Sequence, residues 1–377
     1  MIKIWALICG AHYGGAGNRP PAHINKGKFD RPTGRRTKLR PGKSGTGMTT
    51  TRILTLALIA WMAAAAQSSA ETPAAPEARQ IASGVWMIPG GFLPKREPDG
   101  NTIILAAPKG LIVFDTGRHT WHTQAIKAFA QARRAPIVAI FNSHWHLDHT
   151  SGNIALKRAY PAARVYASRA IEAALKGFLP NSAKDDRVYL ASGQADPVTA
   201  EDVRGDIAVI ETPSALIPDV PIETSQTMTV AGRRLDVHLA PHAATAGDVW
   251  IYDPKTRTAV VGDLITLPAP FLDTACPAGW ETALAAVWAT PFETALPGHG
   301  PPMSRDQFAA YRQAFQSLID CASSPRDKQQ CAAAWVGGVK PVLDPGPLAL
   351  RRAQGMTEDY IDLLRMNGGK SPYCTAA

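Results

Sequence analysis

The sequence predicts an α/β fold, in which strands and helices alternate along the chain. Short β-branched and apolar runs alternate with segments of helical length between about residues 81 and 321. The strand-like runs fall into two halves, each rich in hairpins. The roughly 300 residues that follow position 70 suit one large two-layered domain with a short extension.

The first half begins with strands and continues with alternating helices and strands. Apolar runs predict strands near 81–88, 102–107, 111–115, 137–141 and 164–167. Helices are predicted over 120–133, 152–160 and 168–176. Pro108, Lys109 and Gly110 are typical of a hairpin turn, while Ser168 and Gly177 are candidates to cap and end the third helix.

The second half repeats the pattern after a long segment, 178–226, that is expected to be irregular. Strands are predicted near 227–230, 233–240, 248–252, 257–262 and 292–296, and helices over 278–289 and 304–321. Ser304 and Gln307 form the capping-box pattern that opens the last helix. Phe178 and Tyr189 are candidates for the wall of a substrate pocket.

Four potential metal ligands stand within six positions of the chain. They directly follow the predicted strand 137–141, so they lie on a loop at a strand's C-terminal end, where α/β folds place their chemistry. Imidazole nitrogen and carboxylate oxygen are ligands that Zn²⁺ prefers. These ligands are His144, His146, Asp148 and His149.

Three further ligand candidates stand alone at the ends of other strand-like runs. His242 follows 234–240, Asp263 follows 258–262, and His299 follows 292–296. His238 is a rival to His242, but it lies inside its strand rather than at the end. Each of these residues alone is as compatible with an ordinary loop position, and the order of all of them along the chain gives them weight.

The order HxHxDH, then His, then Asp in Gly-Asp-Leu, then His in Pro-Gly-His-Gly resembles the metallo-β-lactamase superfamily. The resemblance covers roughly 81–299 and implies a four-layer αββα sandwich. It implies one metal on His144, His146 and His242. It implies a second on Asp148, His149 and His299, with Asp263 bridging both. Asp115 matches the family's supporting carboxylate, which orients ligating histidines.

The details resemble glyoxalase II and lactonase-like dinuclear hydrolases more than true β-lactamases. Those β-lactamases usually carry Cys, or no ligand, at the position of Asp263, and their commonest class lacks a histidine like His149. One departure stands beside the third histidine, where the family often reads His-Thr-x-Gly-Asp. Here the string from His242 to Asp248 is two residues longer, which leaves the shape of that loop open.

The resemblance implies a hydrolase that uses metal-activated water on an ester, thioester, lactone or related bond of a small-molecule substrate. Two zinc ions are expected, with iron or manganese as alternatives. Asp148 is the predicted catalytic residue, because it would bind the second metal and orient the nucleophile. The alternative functions are an iron-dependent persulfide dioxygenase-like oxidoreductase and a non-catalytic metal-binding protein. In the loop 90–100, Phe92, Leu93, Lys95 and Arg96 are candidates to contact substrate.

The formal charge of +9 belongs to the N-terminal segment. Residues 1–47 hold ten Lys or Arg against one Asp, whereas 48–377 hold thirty residues of each sign. The folded part is therefore neutral and lacks the basic excess of a nucleic-acid-binding protein. Residues 1–47 are interpreted as a disordered extension or a misassigned start.

Residues 48–70 have the organisation of a signal peptide. A basic residue, Arg52, precedes an apolar stretch over 53–66, and small residues follow up to Ala70. The stretch is short of the ~20 residues that a membrane span needs, so no anchor is expected after cleavage. The predicted location is periplasmic or secreted, with a hydrolase domain over 71–322 and an extension over 323–377 packed on it. Nothing in the sequence selects an oligomeric state.

Four of the five cysteines follow the predicted signal peptide. An even number in an exported chain favours disulfides. Cys321 and Cys331 flank a polar loop and are the favoured pair, which leaves Cys276 with Cys374 by elimination. The alternative is that all four are buried free thiols.

Overall fold

The computed structural model describes residues 73–374. The predicted extension 1–47 and signal peptide 48–70 lie outside these residues. The first sheet has seven strands in chain order, antiparallel from β1 to β4 and parallel from β4 to β7. They are β1 Arg79–Ala82, β2 Val85–Ile88, β3 Thr102–Ala107, β4 Gly110–Phe114, β5 Ile137–Phe141, β6 Arg164–Ala167 and β7 Val220–Pro221.

The second sheet has six strands in the order β13, β12, β11, β10, β9, β8. All its neighbours are antiparallel except β11 and β12, which run parallel. The strands are β8 Gln226–Val230, β9 Arg233–Pro241, β10 Gly247–Asp253, β11 Thr258–Gly262, β12 Thr294–Pro297 and β13 Met303–Ser304.

Helices connect the strands of the first sheet and follow those of the second. In the first half they are α1 Thr120–Ala132, α2 Leu147–Thr150, α3 Asn153–Ala159, α4 Ala170–Ala174, α5 Phe178–Ala191 and α6 Pro197–Ile210. In the second half they are α7 Pro277–Ala289, α8 Arg305–Ala322, α9 Lys328–Val339 and α10 Pro347–Met366. Short 3₁₀ turns stand at Pro213–Ala215 and Lys340–Val342.

Three apolar layers hold the fold together and confirm the αββα sandwich. Between the sheets, Phe114 and Phe141 of the first meet Val237 and Ile251 of the second. Burial of each such side chain contributes about 1.5–3 kcal/mol. The outer face of the first sheet packs on α1 through residues that include Ile104, Val113 and Ile126. The outer face of the second packs on α7 to α10 through residues that include Trp280, Phe308, Phe315, Trp335 and Ile361.

Several predicted elements are confirmed and three are corrected. The strand 137–141 and the capping box between Ser304 and Gln307 are present as predicted. The strand predicted over 81–88 is a hairpin, because Gly84 adopts a φ of +70° between β1 and β2. Ser168 is not the N-cap residue of α4, which is Arg169. The oxygen of Ser168 nevertheless accepts the backbone N–H of Ala170, and its hydroxyl donates to the carbonyl of Gly247.

The segment 178–226 was expected to be irregular, and this expectation is wrong. It forms α5 and α6, and the two helices pack on each other. Its prolines do not break these helices, because Pro180 lies in the first turn of α5 and Pro197 opens α6. Asp196 caps α6 through the backbone N–H groups of Val198 and Thr199.

Two disulfides join the four cysteines as predicted: Cys321 with Cys331, and Cys276 with Cys374. The first closes the connection between α8 and α9. The second ties the last described residue to the start of α7. Among the helices of residues 73–374, none combines the length and apolar character needed to cross a bilayer.

Candidate metal centre

The predicted ligands come together at one edge of the sandwich. The HxHxDH loop leaves the C-terminal end of β5, and Asp115 follows the neighbouring parallel strand β4. Asp263 and His299 follow β11 and β12, the parallel pair of the second sheet. Because parallel strands present their C-terminal ends at the same edge, four separate loops deliver side chains to one place.

Six of the seven predicted ligands form two groups. His144, His146 and Asp263 form the first group, and Asp148, His149 and His299 form the second. Within each group the potential ligand atoms lie within 4.8 Å of one another. All six are buried except His146, which is half-buried.

Asp263 stands between the two groups. Its Oδ2 is 3.7 Å from Nε2 of His144, and its Oδ1 is 3.2 Å from Nε2 of His149. The two imidazole rings are themselves 4.4 Å apart. One carboxylate therefore offers one oxygen to each group.

Several of the grouped atoms are buried without a hydrogen-bond partner among the described residues. They are Nε2 of His144, Oδ2 of Asp148 and both carboxylate oxygens of Asp263. Leaving such polar atoms unpaired is costly, and a coordinated cation removes that cost. This donor set of imidazole and carboxylate fits a divalent metal such as zinc.

Asp115 orients one histidine of each group. Its Oδ2 accepts a hydrogen bond from the Ser143 hydroxyl (2.7 Å) and lies 2.8 Å from Nδ1 of His149. Because the Ser143 proton is committed to Asp115, its oxygen accepts from Nδ1 of His144, 2.9 Å away. Both histidines thus carry their proton on Nδ1 and keep Nε2 free for a metal. Asp115 holds this position with a left-handed φ of +61°.

His146 is oriented from the other sheet. The Thr274 hydroxyl donates to the carbonyl of Ala244, so its oxygen accepts the proton of Nε2 of His146, 3.0 Å away. This bond leaves Nδ1 of His146 as the free nitrogen. No local pattern in the sequence indicates Thr274 or the relay through Ser143, since both depend on contacts between distant loops.

Burial and nearby charges shift the pKa values of the three histidines of the HxHxDH loop in opposite directions. Burial lowers the pKa of His144, and it lowers the pKa of His146 to about 4, so both are neutral. Burial also disfavours a charged His149, but the carboxylates of Asp263, Asp148 and Asp115 outweigh it and raise its pKa. A bound metal would take the place of that proton.

Close backbone approach explains two glycines beside these side chains. A Cβ on Gly298 would lie 1.9 Å from Oδ1 of Asp263, and one on Gly100 would lie 2.4 Å from Cε1 of His149. Gly100 also donates its backbone N–H to the carbonyl of Asp148. The loops can close on the ligands only where no side chain intervenes.

His242 is the one predicted ligand that the structure does not bring into either group. It directly follows β9 with a left-handed φ of +55°, and it is half-buried. In the loop after it, the carbonyl of Ala244 accepts the hydroxyl of Thr274, whose oxygen in turn contacts Nε2 of His146. Asp248, the second residue of β10, is buried, and its Oδ1 has no hydrogen-bond partner among the described residues. The rival His238 stacks on Trp250, with ring centroids 3.8 Å apart.

A charged network lies behind the second group. The Arg118 guanidinium pairs with Asp206 and stands 3.9 Å from Oδ1 of Asp148. Asp99 accepts the backbone N–H of Arg118 and the ring proton of His119. Burial opposes a charge on His119, but Asp202 and Asp99 outweigh it and raise its pKa to about 9.

The loop 90–100 joins this network rather than offering cations to a ligand. Arg96 is buried and bound by Asp202 and Glu201, so its guanidinium is already satisfied. Phe92 packs beside the centre, with its ring 5.6 Å from that of His299. Leu93 and Lys95 are exposed.

Comparison with known proteins gives the class. Residues 96–308 match the model of the metallo-beta-lactamase superfamily, so the chain belongs to that superfamily. A hydroxyacylglutathione hydrolase from Synechococcus sp. (strain JA-3-3Ab) is 41% identical over 61 residues. That match covers 16% of this chain and 24% of the relative, so the chain spans about a quarter of it.

Two solved structures are similar to this chain. The sec-alkylsulfatase Pisa1 from Pseudomonas sp. has a TM-score of 0.52 and 18% identity, covering 76% of this chain and 49% of that chain. A metallo-beta-lactamase from Pontibacter korlensis has a TM-score of 0.47 and 20% identity, covering 64% of this chain and 99% of that one. At 18% identity the likeness to Pisa1 is one of fold alone.

Proposed function

We propose that this protein is an exported, dinuclear metal-dependent hydrolase that cleaves an ester, thioester, lactone or related bond of a small molecule. One observation carries the proposal: two three-residue groups of ligand atoms share a carboxylate, Asp263, that offers one oxygen to each. Two metals, rather than one, are what such a pair of groups fits. The short match to a hydroxyacylglutathione hydrolase favours a thioester among the bond types.

The two groups would hold the metals. His144, His146 and Asp263 would hold the first, and Asp148, His149 and His299 the second, with zinc favoured and iron or manganese as alternatives. A bound pair of metals supplies a water of lowered pKa and polarises the oxygen of the substrate. His242 remains a candidate for the first metal, but it has the least structural support of the seven.

The protein's own residues prepare this centre in three ways. Asp115, Ser143 and Thr274 fix the tautomers of the ligating histidines. Asp148 lines the open side of the centre, with Oδ2 2.9 Å from His299, and is the residue placed to orient an attacking water. Arg118 positions Asp148 from behind through its charge.

The alternatives predict different metal contents. A persulfide dioxygenase-like oxidoreductase would use a single iron, and a non-catalytic protein would bind metal without turnover. Metal analysis of the purified protein should give about two zinc ions per chain. A panel of thioesters, lactones, β-lactams, phosphate esters and sulfate esters should then show hydrolysis of at least one class. One iron per chain, or two metals with no turnover of any class, would contradict the proposal.

Export rests on the pattern of residues 48–70 and on the two disulfides, which form in an oxidising compartment. N-terminal sequencing of protein from the periplasm should give a start near Glu71. A mature chain that retains Arg35 and Arg36 would contradict export through this signal.

A further inference from the structure

A pocket opens beside the metal centre, and its wall combines aromatic rings with carboxyl groups. Asp148 and His146 line it, so a molecule in this pocket reaches the centre. Its aromatic side includes Trp145, Phe178 and Tyr373. The rings of Trp145 and Phe178 are 5.1 Å apart, and those of Phe178 and Tyr373 are 4.9 Å apart.

The cationic side chain in the wall is already neutralised. Arg118 is the one Lys or Arg among the described residues that line the pocket, and it pairs with Asp206 and stands near Asp148. Lys95 and Arg96 do not line the pocket. An anionic substrate group would therefore find no free cation here and would meet an excess of carboxylates.

Two carboxyl groups in the wall are shielded from solvent and have no partner among the described residues, whereas a third without a partner, Asp185, is exposed. No hydrogen bond or ion pair within 4 Å reaches the carboxylate of Glu97 or of Asp186 from the described residues. Asp186 belongs to α5 and is only 4% exposed, while Glu97 is half-buried in the loop before β3. Asp206 and Asp273 differ, because Arg118 and the Tyr360 hydroxyl bind them.

Such a wall costs free energy when the pocket is empty. Burial raises the pKa of Glu97 and of Asp186 to about 7, which reflects the cost of charging each group without a partner. An organic cation would remove this cost at the carboxylates, and its surface would fit the faces of the aromatic rings. A neutral ligand would offer the rings the same contact but leave both carboxylates unpaired.

We infer that the substrate of the proposed hydrolase carries a cationic group, an amine or quaternary ammonium, that binds between the aromatic rings and the carboxylates of Glu97 and Asp186. This inference rests on the proposed function where it treats the bound cation as a substrate. The binding of a cation depends only on the residues of the pocket. The reacting bond would then lie on the side of His146 and Asp148.

Binding can be tested with three small probes of one shape. Choline, 3,3-dimethylbutan-1-ol and 3,3-dimethylbutanoate are respectively cationic, neutral and anionic. Calorimetry on the full, metal-loaded protein should show choline binding about tenfold or more tighter than the neutral alcohol, the size of a cation–π and charge contribution. The anion should bind more weakly than the alcohol at the pocket. Equal affinity for choline and the alcohol would overturn the inference.

Substitutions test whether the two carboxylates cause the tighter binding of choline. Asp186→Asn and Glu97→Gln should each weaken choline by about fivefold while leaving the alcohol unchanged, since only the charge is removed. Asp320→Asn, an exposed carboxylate on α8, is the matched control and should bind choline like the parent. Melting temperature and metal content show whether each variant is folded. If both folded variants bind choline as tightly as the parent, the site is wrongly placed.

A hydrolysis arm separates this inference from the proposed function. Butyrylcholine and 3,3-dimethylbutyl butyrate are the matched cationic and neutral esters. Faster turnover of the first, measured as kcat/KM, supports both proposals. Tight choline binding with no turnover of any ester, thioester or lactone would end the proposed function and leave the cation site standing. Turnover of both esters at equal kcat/KM would support the proposed function and contradict a cation site for the substrate.

Discussion

The two ligand groups differ in their burial and in the side chains that support them. In the second group, Asp148, His149 and His299 are all buried, and a network of Asp115, Asp99 and Arg118 supports them. In the first group, His146 is half-buried, hydroxyl groups rather than carboxylates contact the histidines, and the predicted third histidine lies outside. The second group is therefore fully buried and held by charged side chains, whereas the first is partly exposed at His146.

The difference does not follow from where the grouped ligands originate. The second group takes two adjacent residues from one loop and needs only His299 from the other sheet. The first group likewise takes His144 and His146 from that loop and Asp263 from the other sheet. The further histidine that the resemblance implies, His242, follows β9, where the chain is two residues longer than the family's usual pattern. A carboxylate accepts a proton more strongly than a hydroxyl does, so we expect the second metal to bind more tightly than the first.

Replacing the carboxylate that joins the groups should have the largest effect. Asp263→Ala removes a ligand atom from each side, so both metals should be lost. Activity should then fall by about 1,000-fold or more, beyond the 10- to 100-fold expected for a supporting residue. Metal analysis and turnover measure this. Asp236→Ala, a partly exposed carboxylate on β9, is the control. Full metal content in Asp263→Ala would show that the two groups are not bridged.

Removing His119 tests the network behind the second group. Its pKa of about 9 in the folded state lies above the ordinary 6.5, so its stabilising contribution is complete below pH 6.5 and is lost as pH rises through 9. The full contribution is about 3 kcal/mol. The free energy of unfolding is measured by denaturation of the metal-saturated proteins. Between pH 6.5 and 9 it should fall more steeply for the parent than for His119→Gln. His238→Gln, without carboxylate contacts, should keep the parental slope. Parallel curves for His119→Gln would mean that the network does not hold a charged imidazole.

Two substitutions distinguish Asp115, which supports a histidine in each group, from Ser143, which contacts a histidine of the first group only. Asp115→Asn should weaken both metals by about 10- to 100-fold, because it contacts His149 directly and His144 through Ser143. Ser143→Ala should weaken only the first metal, and by less. Competition with a graded chelator gives the two affinities. An equal loss at both metals in Ser143→Ala would contradict the separate relays.

His242 should give the smallest effect among the ligand variants. It belongs to neither group, so His242→Ala should lower the affinity of the first metal by less than about tenfold, below a typical supporting residue. His146→Ala, which removes a grouped nitrogen, is the comparison and should lose the first metal. If His242→Ala loses that metal as completely, His242 completes the first group and the sequence-based assignment is restored.

The sequence predicted most elements whose signals are local. The strand 137–141 is a continuous apolar run, and the capping box at Ser304 uses residues three positions apart. The prediction of an irregular segment over 178–226 was wrong, since a proline in the first turn of a helix does not break it. Pro197 instead follows the N-cap Asp196, where a proline favours a helix.

The sequence by itself determined the family, the fold and the identity of six grouped ligands, since strand ends and a spaced motif fix which loops carry imidazole and carboxylate. Only the tertiary structure decided how those ligands are held. The relays through Ser143 and Thr274, the position of His242 outside the groups, and the unpaired carboxylates of Glu97 and Asp186 all depend on which distant loops meet. These contacts depend on packing between residues far apart in the chain, so the periodicity of the sequence does not predict them.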